Sequence, residues 1–304
     1  MNRAVTKPAT RRLTELLDPE FMARLDALDV ISRKILRGKL QGERRSKRRG
    51  QSVEFADHRP YVVGDDLRFV DWNVYGRLEQ LFLKLFLEEQ DLTVHIVADA
   101  SASMGLGEPS KERFIKKLGA ALAYVSLVNN NRVTLSLFDD GLRNQLANMR
   151  GRNYLHRMAE FLLGTDCDGI SDFESACRQL ALGRIGTGVM IVLSDFFFKQ
   201  GYDTGLRRLI GREYDLYVIQ VLSPQEVSPE LTGDLKLLDI EDADAAEITV
   251  SGALMKYYKR NLTAYCNELK DFCTRRGAVY VLANSADSVE SLVLNYLRRI
   301  RLLR

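Results

Sequence analysis

Residues 92–105, LTVHIVADASASMG, decide the fold. The apolar run Val94–Ala98 is too continuous for a strand with one wet face, so it reads as a strand of a parallel sheet covered on both sides. It delivers Asp99, and Ser101 and Ser103 follow at alternate positions. In an extended backbone, residues i, i+2 and i+4 face the same way, so the three can converge from one loop. A second apolar strand, GVMIVLSDFF at 188–197, also ends in an aspartate, Asp195. In an open parallel sheet, ligands sit beyond the carboxyl ends of the strands. If the two strands are neighbours, Asp99 and Asp195 meet at that edge and repel unless a cation joins them.

Working outward, the chain alternates helix and strand. KERFIKKLGAALAYVSLV (111–128) reads as a helix with Ser110 as its N-cap, and RVTLSLFD (132–139) as a strand. LRNQLAN (142–148) reads as a short edge strand, and RNYLHRMAEFLLG and DFESACRQLAL as helices. After the second aspartate come the short helix TGLRRLIGR, the strand YDLYVIQVLS and a hairpin near 235–250. A long helix, ALMKYYKRNLTAYCNELKDFCTRRG, the strand AVYVLA and a last helix, SVESLVLNYLRRIRLL, complete the pattern. Together they predict an α/β domain over 91–304 with a doubly wound, mostly parallel sheet.

Upstream the texture differs. Residues 1–20 read as a loose leader, and Leu25, Leu28, Ile31 and Ile35 recur at helical spacing, so 1–42 is expected to be a leader and helix. SVEFADHRPYVVGDDLRFVDWNVYGR (52–77) and LFLKLFLEEQ (81–90) read as strands and turns, a small N-terminal β-rich module over 43–90. There Asp65, Asp66 and Asp71 alternate with Arg59, Arg68 and Arg77, a pattern that fits an ion-pair lattice. Trp72 is expected to be a packing anchor. The run Arg44-Arg45-Ser46-Lys47-Arg48-Arg49 lacks the aromatics that stack bases, so nucleic acid is not expected.

Composition narrows the classes further. The net charge of +3 gives no global field for a polyanion. No uncharged apolar stretch reaches the ~18 residues of a membrane span, and no apolar run follows the first basic residues as in a secretory signal. The four cysteines, Cys167, Cys177, Cys266 and Cys273, form no CxxC pair or zinc spacing. They read as reduced thiols of a cytoplasmic protein.

The donors at the strand ends are hard oxygens, which suits magnesium, with manganese as a substitute, and not zinc. A further hydroxyl is expected from the loop between the two strands. Ser171 in GISDFESA stands there, and Thr165 in LLGTD competes with it. Ser171 reads equally well as a helix N-cap with Glu174 three residues on. Catalysis finds little support. There is no GxxxxGK[ST] phosphate loop and no GxSxG, and His58, His95 and His156 are not paired. His95, inside an apolar strand, reads as a packed core residue.

Asp99-x-Ser101-x-Ser103, a hydroxyl in a glycine-containing loop and Asp195 in LSDFF resemble the metal-ion-dependent adhesion site of von Willebrand factor A domains. GERRSKRRGQSVEFADHRPYVVGDDLRFVDWNVYGR (42–77) resembles the signature of the bacterial domain-of-unknown-function 58 family. The match runs through Ser46, Gly50, Glu54, Phe55, Arg59, Tyr61, Gly64, Asp65, Asp66, Arg68, Asp71 and Trp72, with Val70 for the usual isoleucine. The resemblance covers about residues 25–300. It implies a metal set of Asp99, Ser101, Ser103, Ser171 and Asp195, with Ser171 where the adhesion site normally has threonine. It also implies a non-enzymatic role alongside MoxR-type AAA+ ATPases in assembling or activating other proteins. The function expected is thus a magnesium-dependent protein-binding module whose partner offers a carboxylate to the metal. The alternatives are a scaffold with a vestigial metal site, or a metal-dependent phosphoesterase.

Overall fold

The computed structural model describes residues 9–32, 54–87, 92–183, 188–210, 214–230, 233–238 and 245–304. Two compact units emerge. One joins Met1–Arg37 to Leu92–Arg304, and the other is Gly38–Asp91.

The larger unit begins with helices α1 (Ala9–Leu16) and α2 (Pro19–Leu25). A loose leader was expected here, but Leu16, Leu17, Phe21 and Leu25 are buried in the main core. The helix expected from Leu25 does not form over 26–32. Instead Asp29 exchanges backbone bonds with Arg304, and the Ile31 N–H donates to the Leu302 carbonyl, so the segment runs alongside residues 302–304. Leu25 and Leu28 are buried all the same, which is why their spacing mimicked a helix face. The remainder of the expected helix lies outside the described residues, as does the basic run at 44–49.

In the smaller unit, β1 (Glu54–Pro60) pairs antiparallel with β2 (Phe82–Leu87), and α3 (Trp72–Leu78) lies between them in sequence. Asp71 caps α3 by accepting from the backbone N–H groups of Asn73 and Val74. It also meets His58 at 2.9 Å and Lys84 at 3.4 Å. His58 above all holds its carboxyl down at about 2. Arg59 grips Asp65 through two bonds of 2.8 and 2.7 Å, and Arg68 grips Asp66. Arg77 departs from the expected lattice, since its Nε donates to the Asn73 carbonyl. Trp72 is no anchor. It is 61 % exposed and meets Tyr75 edge to face, because the first turn of α3 points it out of the unit's small core.

The sheet of the larger unit comprises β3 (Thr93–Asp99), β4 (Arg132–Phe138), β5 (Leu142–Met149), β6 (Gly188–Ser194), β7 (Tyr214–Leu222) and, after the hairpin β8 (Gly233–Leu238) and β9 (Ala245–Val250), β10 (Val279–Asn284). Their order is β10-β7-β6-β3-β4-β5. All pairs are parallel except β4–β5, so β5 is an antiparallel edge strand. The doubly wound, mostly parallel α/β sheet expected from the sequence is therefore present.

Helices fill the connections: α4 (Lys111–Val128), α5 (Leu155–Leu163), α6 (Phe173–Leu182), α7 (Asp203–Leu209), a short turn of helix α8 (Pro224–Val227), α9 (Gly252–Arg275) and α10 (Val289–Ser291), which runs into a π-helical turn at Leu292–Leu297. One core packs α4 and α5 on one face, and a second packs α6, α7 and α9 on the other. Both faces are thus covered, which is why β3 and β6 are apolar throughout. Gly188 opens β6 where a Cβ would lie 2.0 Å from the Thr93 carbonyl oxygen, so glycine is required for β6 to approach β3. Among the described residues no helix is long and apolar enough to cross a membrane.

His95 sits in β3 with its ring buried and Nε2 2.7 Å from the Ser136 hydroxyl. Burial pulls its imidazole down to about 4. Because the folded value lies below the unfolded ~6.5, His95 favours folding fully above pH 6.5 and loses this contribution as pH falls towards 4. Between pH 7 and pH 5 the loss is about 2 kcal/mol. Urea denaturation at both pH values should show this segment of the pH dependence in the wild type and not in His95→Gln.

Candidate functional site at the carboxyl edge of the sheet

Parallel pairing of β3 with β6, in register Ala98 to Leu193, places Asp99 and Asp195 at adjacent strand exits. Between them stand the two serines, in a chain of oxygens. Asp99 Oδ1 accepts from the Ser101 backbone N–H at 3.0 Å and from its hydroxyl at 2.7 Å. Ser101 Oγ lies 3.1 Å from Ser103 Oγ, and the Ser103 hydroxyl donates to Asp195 Oδ2 at 3.3 Å. Four of the five residues singled out in the sequence thus meet at one point. Asp99, Ser101 and Asp195 are buried, and Ser103 is half-buried in the 3-10 turn Ala102–Gly105.

Ser171 belongs to a segment stitched to the same loop. The Asp168 N–H donates to the Ala100 carbonyl at 3.0 Å, and the Ala102 N–H to the Gly169 carbonyl at 3.1 Å. The alternative of Ser171 as a helix cap is corrected. Asp172 caps α6, accepting from the Ser175 N–H at 2.9 Å, and Glu174 pairs with Arg208. The carboxylate caps at the position where the chain leaves extended geometry, one residue beyond Ser171. The competitor Thr165 is accounted for differently: its hydroxyl donates to the Phe161 carbonyl at 2.9 Å and closes the end of α5.

Four further residues complete the cluster, none of them singled out in the sequence. Ser194 Oγ donates to Asp99 Oδ2 at 2.6 Å. Gln220 Nε2 donates to the Asp195 carbonyl at 2.8 Å from β7. Lys111, with a side chain 0 % exposed, places Nζ 2.6 Å from Asp195 Oδ2 and 2.5 Å from Glu226 Oε1. Glu226 is held by its other oxygen, Oε2, which accepts from the Ser223 N–H and hydroxyl in a capping box at the start of α8. Signals for the last two were present. Lys111 lies on the helix face that carries Phe114, Ile115 and Leu118, all buried. Ser223-Pro-Gln-Glu226 has capping-box spacing.

The electrostatics are unbalanced. Three carboxylates (Asp99, Asp195, Glu226) surround one ammonium (Lys111), so the cluster is two charges negative when all are ionised. Burial, with the Asp195 charge behind it, overcomes the Ser194 and Ser101 donors and pushes the Asp99 carboxyl up to about 7. Burial works against the Lys111 ammonium, yet Asp195 and Glu226 outweigh it and raise that group above the usual lysine value.

A small hard cation suits this donor set. Magnesium at about 2.0–2.1 Å from its ligands separates neighbouring oxygens by about 2.9 Å. The oxygen steps here are 2.7, 3.1 and 3.3 Å. Among the described residues no group of three or more His, Cys, Asp or Glu is placed to hold a metal, so the set depends on hydroxyls beside two carboxylates. Asp99, Ser101, Ser103 and Asp195 are the residues that could hold such an ion.

The family model described as "Protein of unknown function DUF58" matches residues 57–266. Two uncharacterized proteins, one from Mycobacterium tuberculosis and one from Mycobacterium bovis, are each 25 % identical over 267 residues, covering 86 % of this chain and 84 % of their own. Similar solved structures include the conserved hypothetical protein BatB from Bacteroides thetaiotaomicron, with a TM-score of 0.42, 13 % identity and 69 % of this chain and 98 % of that one covered. The SpRpn10 VWA domain gives 0.41, 13 %, 68 % and 95 %.

With no cation bound, Asp99 is a cost to the fold. Its carboxyl favours folding fully only below the unfolded value of about 3.8, and that contribution is lost as pH rises to about 7. Asp99→Asn should therefore raise stability in EDTA at pH 8 by roughly 1–3 kcal/mol, read by urea denaturation.

Proposed function

The chain belongs to the DUF58 family, and we propose that it serves that family as a non-enzymatic, magnesium-dependent protein-binding module. The observation that carries this reading is the oxygen chain from Asp99 through Ser101 and Ser103 to Asp195, within a cluster whose three carboxylates outnumber its one ammonium. Asp99, Ser101, Ser103 and Asp195 would hold magnesium, with Ser171 as the further hydroxyl from its stitched loop. The ion would supply an open coordination position that a carboxylate of a partner protein fills. Magnesium keeps several waters in protein sites, so exchange of one for a partner's oxygen is ordinary chemistry for it. The family resemblance from Ser46 to Trp72 adds the class of partner, a MoxR-type AAA+ ATPase, and the four cysteines without CxxC or zinc spacing suit a cytoplasmic setting.

Turnover is a poorer reading. Of the three histidines, His58 bonds Asp71, His95 bonds Ser136 and His156 faces Glu160, so none supports Ser101 or Ser103 as a base. A scaffold with a vestigial site is favoured by one observation, the Lys111 ammonium already seated on Asp195.

Magnesium titration separates the readings. If the ion binds only the folded state, the wild type should gain about 2.7 kcal/mol in unfolding free energy at one hundred times the dissociation constant. Asp99→Asn should gain none, and capture of an AAA+ partner on the immobilised protein should disappear in EDTA. Identical denaturation curves for the wild type with and without saturating magnesium would sink the proposal and leave the scaffold.

A further inference from the structure

Lys111 is out of place by the usual rules. It occupies the first turn of α4, where the helix dipole favours anions and disfavours an ammonium. Its side chain has no exposure to water. Desolvating an ammonium costs several kcal/mol unless paired charges offset it. The helix therefore does not explain the residue, and the two carboxylates that receive it do.

The atoms involved are specific. Lys111 Nζ is bonded to Asp195 Oδ2, the same oxygen that receives the Ser103 hydroxyl. The other oxygen, Oδ1, faces away and accepts the Phe197 backbone N–H at 3.1 Å. A cation in the Asp99–Ser103–Asp195 set would meet Asp195 on the oxygen the ammonium already holds. Lys111 has a second seat, Glu226 Oε1, on a side chain fixed by Ser223 and 23 % exposed. That seat is secured from two sides. Gln225 exchanges bonds with the Glu108 backbone N–H and carbonyl at 3.1 and 2.9 Å, and Tyr258 donates to the Glu226 carbonyl at 2.7 Å.

We propose that Lys111 is a built-in competitor of the metal, an internal counter-cation that sets the affinity of the site by contesting Asp195 Oδ2 and shifting onto Glu226 when a divalent ion takes that oxygen. This deepens the metal-binding reading and rests on it. The consequence is linkage. Lys111 keeps the metal loosely held in the lone protein, and a partner's carboxylate, by adding negative charge, raises metal occupancy as metal raises partner affinity.

The test uses manganese as the probe, with free ion counted by electron paramagnetic resonance on the EDTA-stripped full chain. Lys111→Met should bind manganese roughly tenfold tighter than wild type, because a competing charge has left. Its metal-free form should unfold at lower urea and recover on adding manganese. Should Lys111→Met not fold without metal, Lys111→Met/Glu226→Gln removes both charges of the pair and still frees Asp195 Oδ2. It too should bind more tightly than wild type. Tight binding by a variant and none by the wild type would uphold the competitor role while removing resident metal from the wild-type function. Wild-type binding that equals or exceeds that of both variants would overturn the competitor and leave the metal-binding module standing. No binding by any of the three proteins would overturn both.

Discussion

Two carboxylates brought together at the ends of adjacent buried strands repel one another, and the Lys111 ammonium offsets that repulsion by pairing with Asp195. Parallel pairing makes the encounter unavoidable. Strands β3 and β6 run side by side in one direction, so Asp99 and Asp195 must leave the sheet at the same edge. Gly188 fixes how close that pairing is, since no side chain fits between it and Thr93. Lys111 then compensates Asp195 and not Asp99, whose partners are hydroxyls and a backbone N–H. The asymmetry leaves Asp99 as the carboxylate that buried charge disfavours most, and the buried chemistry of the site follows from it.

The surrounding structure holds this arrangement rather than relieving it. Phe196 adopts φ of +60°, a conformation costly for an aromatic residue, directly after Asp195. The same turn aims the Phe197 N–H at Asp195 Oδ1 and the Phe196 N–H at Ser194 Oγ. Beneath it Phe173, Phe196 and Phe198 pack against one another, with Phe173 and Phe198 stacked at 4.6 Å. Tyr265 from α9 donates to the Phe196 carbonyl. Aromatic burial thus supports a strained loop that presents a carboxylate, the kind of expenditure on geometry that concentrates at functional sites.

Much of this was legible in the sequence, and the reasons are local. Apolar runs ending in Asp99 and Asp195 are continuous because both faces of a parallel sheet are covered, so strand type, edge and carboxylates were readable together. The edge strand at 142–149 and the hairpin near 235–250 were readable from polar patterning. What escaped depended on contacts between distant residues. Asp29 and Ile31 bond to Arg304 and Leu302 at the other end of the chain, and periodicity alone cannot distinguish that from a helix. Lys111 and Glu226 stand 115 residues apart, each with a local reading as a surface charge or a cap, and only the fold makes them a pair. Trp72 misled for the opposite reason. Its size argued for burial, but a two-stranded sheet with one short helix offers little interior to receive it.

The distribution of charge across the two units sharpens the contrast. In the smaller unit Arg59–Asp65 and Arg68–Asp66 are close in sequence and each pair is balanced, the second open to water and contributing little to stability. In the larger unit, the carboxylates at the sheet edge, Asp99 and Asp195 buried and Glu226 half-buried, come from three separate connections and outnumber their cation. A fold under pressure for stability alone would replace such a cluster with apolar side chains, which pack at least as well as a buried ion network. Asp99 instead meets only hydroxyls and a backbone N–H, the kind of oxygen-lined acidic position that a small hard cation would complete. The protein's own lysine is already committed to Asp195 and Glu226, so under the proposed reading the charge that completes the cluster is a cation from outside the chain.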